Sequence, residues 1–290
     1  MSLWTDFLGA EIRYVEAGEF GRTRIAEAGR GKKDAIFFMH GTNGHLEAYA
    51  PNLVPLADEF HCIAFDFYGC GLSERNIKDF TPALLAEQLA ALMDALGIEK
   101  AHLSGESLGG MVAGAFAGKY PQRTRRLMLN TTGGLPISTE KGRQDLRELI
   151  ALMTKVADTP PTFETIQQRM KWLMHPSNWH LLDGELVESR LKIYLMPEAR
   201  LSNPAIIKFI SALETFDIDL DKIQAETLFL WTRDNPINTV EDARIACGKV
   251  KNARMYVMEA DSAHWPQFEA PDEFNRVTRN FFRDGTVPVQ

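Results

Sequence analysis

One short segment limits the fold more than any other. Lys100-Ala101-His102-Leu103-Ser104 is a strand candidate, and Met111 to Tyr120 is small and apolar enough to form a buried helix stopped by Pro121. Between them stand Gly105-Glu106-Ser107-Leu108-Gly109-Gly110. A chain that leaves a strand and enters a helix within so few residues must bend sharply. The flanking positions must then be small, and the central residue takes a strained conformation that lifts its side chain at the helix N-terminus.

The remainder repeats the same alternation. Ile12, Tyr14 and Val15, then Thr23 and Ile25, predict an opening hairpin that turns at Glu19-Phe20-Gly21. Ala35 to Met39 and His61 to Phe65 are short, wholly apolar runs, as parallel strands covered on both faces require. Pro82 to Leu96 reads as a helix with Thr81 as N-cap, Pro82 at the first helical position and Gly97 just past the end. Further strands are expected at Arg126 to Asn130, Thr227 to Trp231 and Arg254 to Met258, with a closing helix at about Pro271 to Phe282. Strand and helix in alternation predict an α/β fold with a mostly parallel central sheet flanked by helices.

After Gly133-Gly134-Leu135-Pro136 the strand rhythm stops for about eighty residues of helical periodicity. A helical insertion over 135–216 is expected, dividing a core made of 1–134 and 217–290. Met153, Met170, Trp172, Met174, Trp179, Tyr194 and Met196 supply material for an apolar cavity or for ordinary packing.

The 290 residues are 45% hydrophobic and 24% charged, which suits a soluble globular chain. A net charge of -7 offers no field for polyphosphate, so nucleic acid is not an expected partner. The first residues lack the basic and apolar regions of a secretory signal, and no segment has the apolar length to cross a bilayer. Cys62, Cys70 and Cys247 are too few and scattered for a disulfide framework or zinc cage, and a reducing cytoplasm is the expected compartment. Asp217, Asp219 and Asp221 read as solvent-facing acids rather than a metal site, so no metal is expected.

A serine hydroxyl is a poor nucleophile near neutral pH and needs a base, normally a histidine oriented by a carboxylate. Ser107 is the candidate nucleophile. His264 follows the last strand in Asp261-Ser262-Ala263-His264-Trp265-Pro266 and is the candidate base. The chain order serine, acid, histidine points to Asp234, just after the strand Leu228 to Trp231. Asp66, in Asp66-Phe67-Tyr68-Gly69-Cys70-Gly71-Leu72-Ser73, is its rival and is read as structuring that loop. The backbone N–H groups of Leu108 and of Thr42, in His40-Gly41-Thr42-Asn43-Gly44, are candidate donors to an oxyanion. Gly41 and Gly44 let that loop approach a substrate, and His40 is read as holding it. Gly41, Asn43 and Glu106 are placed among the substrate contacts.

Five motifs in order (the His-Gly loop, the Asp-x-x-Gly-x-Gly-x-Ser loop, the serine bend, the acid strand and the final histidine) resemble the α/β-hydrolase superfamily along nearly the whole chain. Leu92 to Ser104, Leu127 to Leu135, and His264-Trp265-Pro266-Gln267-Phe268-Glu269 further resemble the meta-cleavage product hydrolases, which split ring-opened 2-hydroxy-6-oxohexa-2,4-dienoates. The resemblance implies a helical cap over the site and a small-molecule substrate, with no cofactor. It also implies that Arg190, in Glu185-Leu186-Val187-Glu188-Ser189-Arg190, binds the dienoate carboxylate and that Trp265 lines the pocket. The chain departs from well-known members at Glu106, where they carry asparagine, and at Thr42-Asn43, where they carry a glycine run. A carboxylesterase or lactonase with the same triad is the alternative, and a non-catalytic ligand receptor a further one. Assembly into a homo-oligomer is left open.

Overall fold

The computed structural model describes residues 2–157 and 161–288. Its strands are β1 (Glu11–Glu16), β2 (Arg22–Ala28), β3 (Ala35–Met39), β4 (His61–Phe65), β5 (Ala101–Glu106), β6 (Thr124–Asn130), β7 (Glu226–Trp231) and β8 (Ala253–Val257). They form one sheet in the order β1-β2-β4-β3-β5-β6-β7-β8. The β1–β2 hairpin and the β2–β4 pair are antiparallel, and every other pair is parallel. This is the α/β architecture with a mostly parallel sheet that the strand runs predicted.

The apolar runs are explained by burial on both faces. β3 sends Phe37 and Met39 into one core and Ile36 and Phe38 into the other; β4 divides Ile63 and Phe65 from Cys62 and Ala64 in the same way. Alternate side chains point to opposite faces of a strand, so a strand with no solvent face has no polar alternation. The covering helices include α1 (Leu3–Asp6), α2 (Ala50–Leu56), α3 (Pro82–Ala95), α4 (Leu108–Lys119) and, later in the chain, α9 (Val240–Cys247), α10 (Pro266–Glu269) and α11 (Pro271–Asp284). Thr81 caps α3 through its side chain, which accepts from the Leu84 N–H, with Pro82 opening the helix.

Between β6 and β7 the elements are helical: α5 (Glu140–Ala157), α6 (Phe163–Leu173), α7 (Glu185–Tyr194) and α8 (Ala199–Ser211), with short 3₁₀ turns. In α6 the buried positions are Ile166, Arg169, Met170 and Leu173; in α7 they are Leu186, Val187, Arg190 and Ile193. The spacing is that of one helical face, and in both helices an arginine stands inside the apolar stripe. Among the described residues, no helix is long and apolar enough to cross a membrane.

The loop Asp66 to Ser73 is tied into the core by charge. Asp66 is fully buried and accepts from Arg24 Nε at 2.7 Å and from the backbone N–H groups of Leu46 and Leu72, each at 2.7 Å. Arg24 also donates to Glu47. A Cβ on Gly71, which has φ +54°, would lie 2.1 Å from the Asp66 carboxylate, so this turn admits only glycine. Asp66 is thus consumed by the loop.

Candidate active site

Ser107 sits between β5 and α4 with φ 55° and ψ -118°, a region that a non-glycine residue occupies only under constraint. The surrounding glycines impose it. A Cβ on Gly105 would lie 2.1 Å from the Gly109 carbonyl oxygen, and one on Gly109 would lie 2.0 Å from that of Met39. The bend is therefore packed backbone to backbone. Leu108 is the first residue of α4, where helix geometry leaves the N–H without an intrahelical acceptor. Thr42 lines the same cavity as Ser107, Leu108 and His264.

His264 is buried in the loop after β8. Its backbone N–H donates to Leu173 O at 2.9 Å, and its carbonyl accepts from Thr131 Oγ1 at 2.8 Å. Glu269 fixes the flanks: Oε1 accepts from the N–H groups of Ala263 (3.0 Å) and Trp265 (3.1 Å), and Oε2 from that of His175 (2.7 Å). One buried carboxylate thus ties the histidine loop to the helical insertion.

The carboxylate expected beside this histidine is absent from that place, and the assignment of Asp234 is corrected here. Arg233 and Asp234 form an exposed turn after β7, and the Asp234 side chain is 59% exposed, with His175 Nε2 3.8 Å away. The chain re-enters the protein one residue later. Asn235 is buried, and its Oδ1 lies 2.7 Å from His264 Nδ1. Its Nδ2 donates to the Asn238 carbonyl at 3.0 Å, an oxygen that also accepts from Trp231 Nε1 at 2.9 Å. Since the amino group is committed there, the amide oxygen faces the ring, Nδ1 carries the proton, and the Nε2 lone pair is left for the cavity.

On the Nε2 side stands the carboxyl of Glu106, with Oε1 at 3.3 Å. Both side chains are almost wholly enclosed. Burial pushes the Glu106 carboxyl up to about 8, a shift that Arg190 and the Gly41 N–H moderate, so near neutral pH it is protonated. Neither of its oxygens makes a hydrogen bond of good geometry among the described residues. Burial likewise presses His264 down to about 3, so the imidazole is neutral. The carboxyl rests on Gly41, where a Cβ would come within 2.6 Å of Oε2. His40 behind it is neutral too, lowered to about 4 by burial, and its Nε2 accepts from the Phe67 N–H.

The insertion closes the cavity with Leu149, Met153, Arg169, Leu173, Arg190 and Leu213. Arg190 is buried, its guanidinium carbon 4.8 Å from the Trp265 ring centroid, and its Nε and Nη2 have no hydrogen-bond partner among the described residues. Gly41, Glu106, Arg190 and Trp265, all expected at the substrate, line the cavity; Asn43 does not. The Asn43 carbonyl instead accepts from the Tyr194 hydroxyl at 2.8 Å, which pins the loop to the insertion. Of the insertion's aromatic and methionine residues, Met153 reaches the cavity, whereas Met170 and Met174 pack in a core and Trp179 is partly exposed at the surface.

Sequence reasoning passed over Asn235, Arg169 and the bracing role of Glu269. Arg169 carried a usable signal: it interrupts the apolar face of α6 at the spacing Ile166, Arg169, Met170, Leu173. Asn235 is adjacent to the chosen acid and differs from it only in which way the turn directs the side chain.

A family profile described as the alpha/beta hydrolase fold matches residues 34–271. A 2-hydroxy-6-oxo-6-phenylhexa-2,4-dienoate hydrolase from Burkholderia cepacia is 32% identical over 285 residues, covering 94% of this chain and 96% of that protein. The enzyme of the same name from Comamonas testosteroni is 30% identical over 288 residues, covering 96% and 92%. Among solved structures, a 2-hydroxy-6-oxo-6-phenylhexa-2,4-dienoate hydrolase from Rhodococcus superposes with a TM-score of 0.79 at 23% identity, over 94% of this chain and 98% of that one.

Proposed function

The chain belongs to the α/β-hydrolase fold family, and from that footing we propose that it hydrolyses a carbon–carbon bond in a 2-hydroxy-6-oxohexa-2,4-dienoate-type ring-fission product. One observation carries the choice over ester hydrolysis. Arg190 is enclosed in the cavity of Ser107 and His264 with two nitrogens, Nε and Nη2, that no described residue pairs. An unpaired guanidinium in an apolar site costs several kcal/mol, which a carboxylate-bearing ligand repays by bidentate pairing. The curated relatives named above act, by their names, on such carboxylates.

In this reading the substrate first ketonises, because a carbanion at the conjugated carbon departs only when its charge can delocalise into a 2-oxo acid. His264 moves the protons, and Ser107 attacks the 6-oxo carbon. The N–H groups of Thr42 and Leu108 receive the oxyanion. Asn235 keeps the proton of His264 on Nδ1 so that Nε2 can serve as base. Residues 135–216 serve as the cap, and the apolar side chains Leu149, Met153, Leu173 and Leu213 receive the group beyond the 6-oxo carbon.

The test is turnover of a panel of coloured ring-fission dienoates, followed by loss of absorbance, beside a p-nitrophenyl ester. The dienoates are expected to be preferred, and Ser107→Ala to abolish turnover. A large preference for the ester, or undiminished cleavage by Ser107→Ala, refutes the proposal.

A further inference from the structure

Arg190 is not the sole cation in the cavity. Arg169 reaches it from α6, and its Nε is buried without a hydrogen-bond partner among the described residues. The two guanidiniums converge: Nη1 of each lies 3.4 Å from the Tyr194 hydroxyl oxygen. No described carboxylate forms an ion pair with either. Among the described residues the carboxyl that lines the cavity is that of Glu106, which burial keeps protonated, so they give the two cations no fixed counter-charge. Burial and the neighbouring Arg190 both weaken the hold of Arg169 on its proton.

The free donors differ in shape. Arg190 presents Nε and Nη2, the edge of a guanidinium that matches both oxygens of a carboxylate. Arg169 presents Nε alone, because its Nη2 is directed at the Thr42 carbonyl, 3.4 Å away. One edge suits a carboxylate and the other a single oxygen beside it.

We propose that Arg169 and Arg190 together receive the 2-oxo acid end of the substrate, Arg190 binding the carboxylate and Arg169 the adjacent 2-oxo oxygen. This deepens the proposed function and rests on it. When the carbon–carbon bond breaks, its electron pair moves along the conjugated chain onto the 2-oxo oxygen, giving a dienolate that then takes up a proton. The acyl carbon remains on the Ser107 oxygen until water releases it as a carboxylic acid. Negative charge develops at the oxygen that Arg169 faces, so Arg169 favours the transition state over the bound ketone. The contact with Thr42 also joins this charge site to the oxyanion loop.

Binding of 2-oxopentanoate and of pentanoate, followed by tryptophan fluorescence or calorimetry, tests the assignment without turnover. The wild-type protein is expected to favour the 2-oxo acid at least tenfold. Arg169→Met should erase that preference while retaining pentanoate binding, Arg169→Lys should restore part of it, and Arg190→Met should weaken both ligands. Far-ultraviolet circular dichroism verifies that each variant is folded. An unchanged preference in folded Arg169→Met, or no preference in the wild type, overturns the inference even if dienoates are cleaved. An Arg169-dependent preference in a protein that cleaves no dienoate leaves the anion site standing and defeats the proposed reaction instead.

Discussion

The amide oxygen of Asn235 lies 2.7 Å from Nδ1 of His264, in the place where a charged carboxylate would ordinarily stand. An amide orients the ring as well as a carboxylate does but lends the imidazolium no charge. The cost falls on basicity, and it adds to burial, which already holds His264 at about 3. Converting Asn235 to Asp is expected to raise the pKa of His264, visible in the imidazole resonances of an NMR titration, and to move the acid limb of the pH–rate profile upward. Asn235→Ala should cut kcat by about 10²-fold or more, the scale of losing an oriented general base. Asp234→Ala, in the exposed turn, should leave kcat/KM within about twofold, in line with the small effects of exposed positions. A large loss in Asp234→Ala with none in Asn235→Ala would reverse the assignment.

Glu106 gives the protein a pH-dependent cost with a definite sign. Its carboxyl ionises at about 8 in the folded chain against an ordinary value of 4.5. Between those values the folded state holds the proton more tightly, so stability falls as pH rises from 4.5 toward 8. Glu106→Gln cannot ionise, and its urea midpoint relative to wild type should therefore climb between pH 5 and pH 8. Ionised Glu106 would also repel an oxyanion forming nearby. Activity should consequently drop above about pH 8 in wild type and lose that alkaline limb in Glu106→Gln. Parallel stability curves for the two proteins would contradict the buried, protonated state.

The Ser107 bend depends on backbone contact, which two glycines separate from mere conformational preference. A Cβ at Gly109 would stand 2.0 Å from the Met39 carbonyl oxygen, whereas at Gly97, with φ +68°, none of the described residues lies within 4 Å. Gly97→Ala should cost only left-handed backbone strain, about 1–2 kcal/mol. Gly109→Ala must push two chain segments apart and should cost about 3 kcal/mol or more, with loss of activity. Urea unfolding of the two variants measures the contrast.

Glu269 acts through the His264 loop. Glu269→Ala frees the N–H groups of Ala263, Trp265 and His175, the first two flanking the base. Leaving buried donors unpaired costs about 1–3 kcal/mol each at most, so the variant should be clearly less stable. In the folded fraction kcat should fall by about tenfold or more with KM little altered, since a displaced base loses transition-state geometry rather than binding. A change confined to KM would point instead to a role at the substrate.

Much of the fold is local in origin, and so it was legible. The runs Ala35–Met39 and His61–Phe65 lack polar alternation because both faces of their strands are covered, and Gly105 is demanded by a bend whose clash, with the Gly109 carbonyl, lies within the nearby chain. Arg190 was legible through a resemblance, and Arg169 was not, although both break an apolar helical stripe in the same way. The helical periodicity places each arginine on the buried face without saying that the two faces meet over one cavity.

The Asn235–His264 pair marks the boundary. The sequence by itself determined a parallel α/β sheet, the strained serine bend, the late histidine and the segment after β7 from which the histidine's partner would come. Only the tertiary structure decided between Asp234 and Asn235, because adjacent residues in a turn point to opposite sides and the choice depends on what packs there: solvent around one, His264 and the Asn238 carbonyl around the other. The same holds for the protonated Glu106 and the paired arginines. Their charge states follow from enclosure by residues distant in sequence, and enclosure is a property of the packed chain.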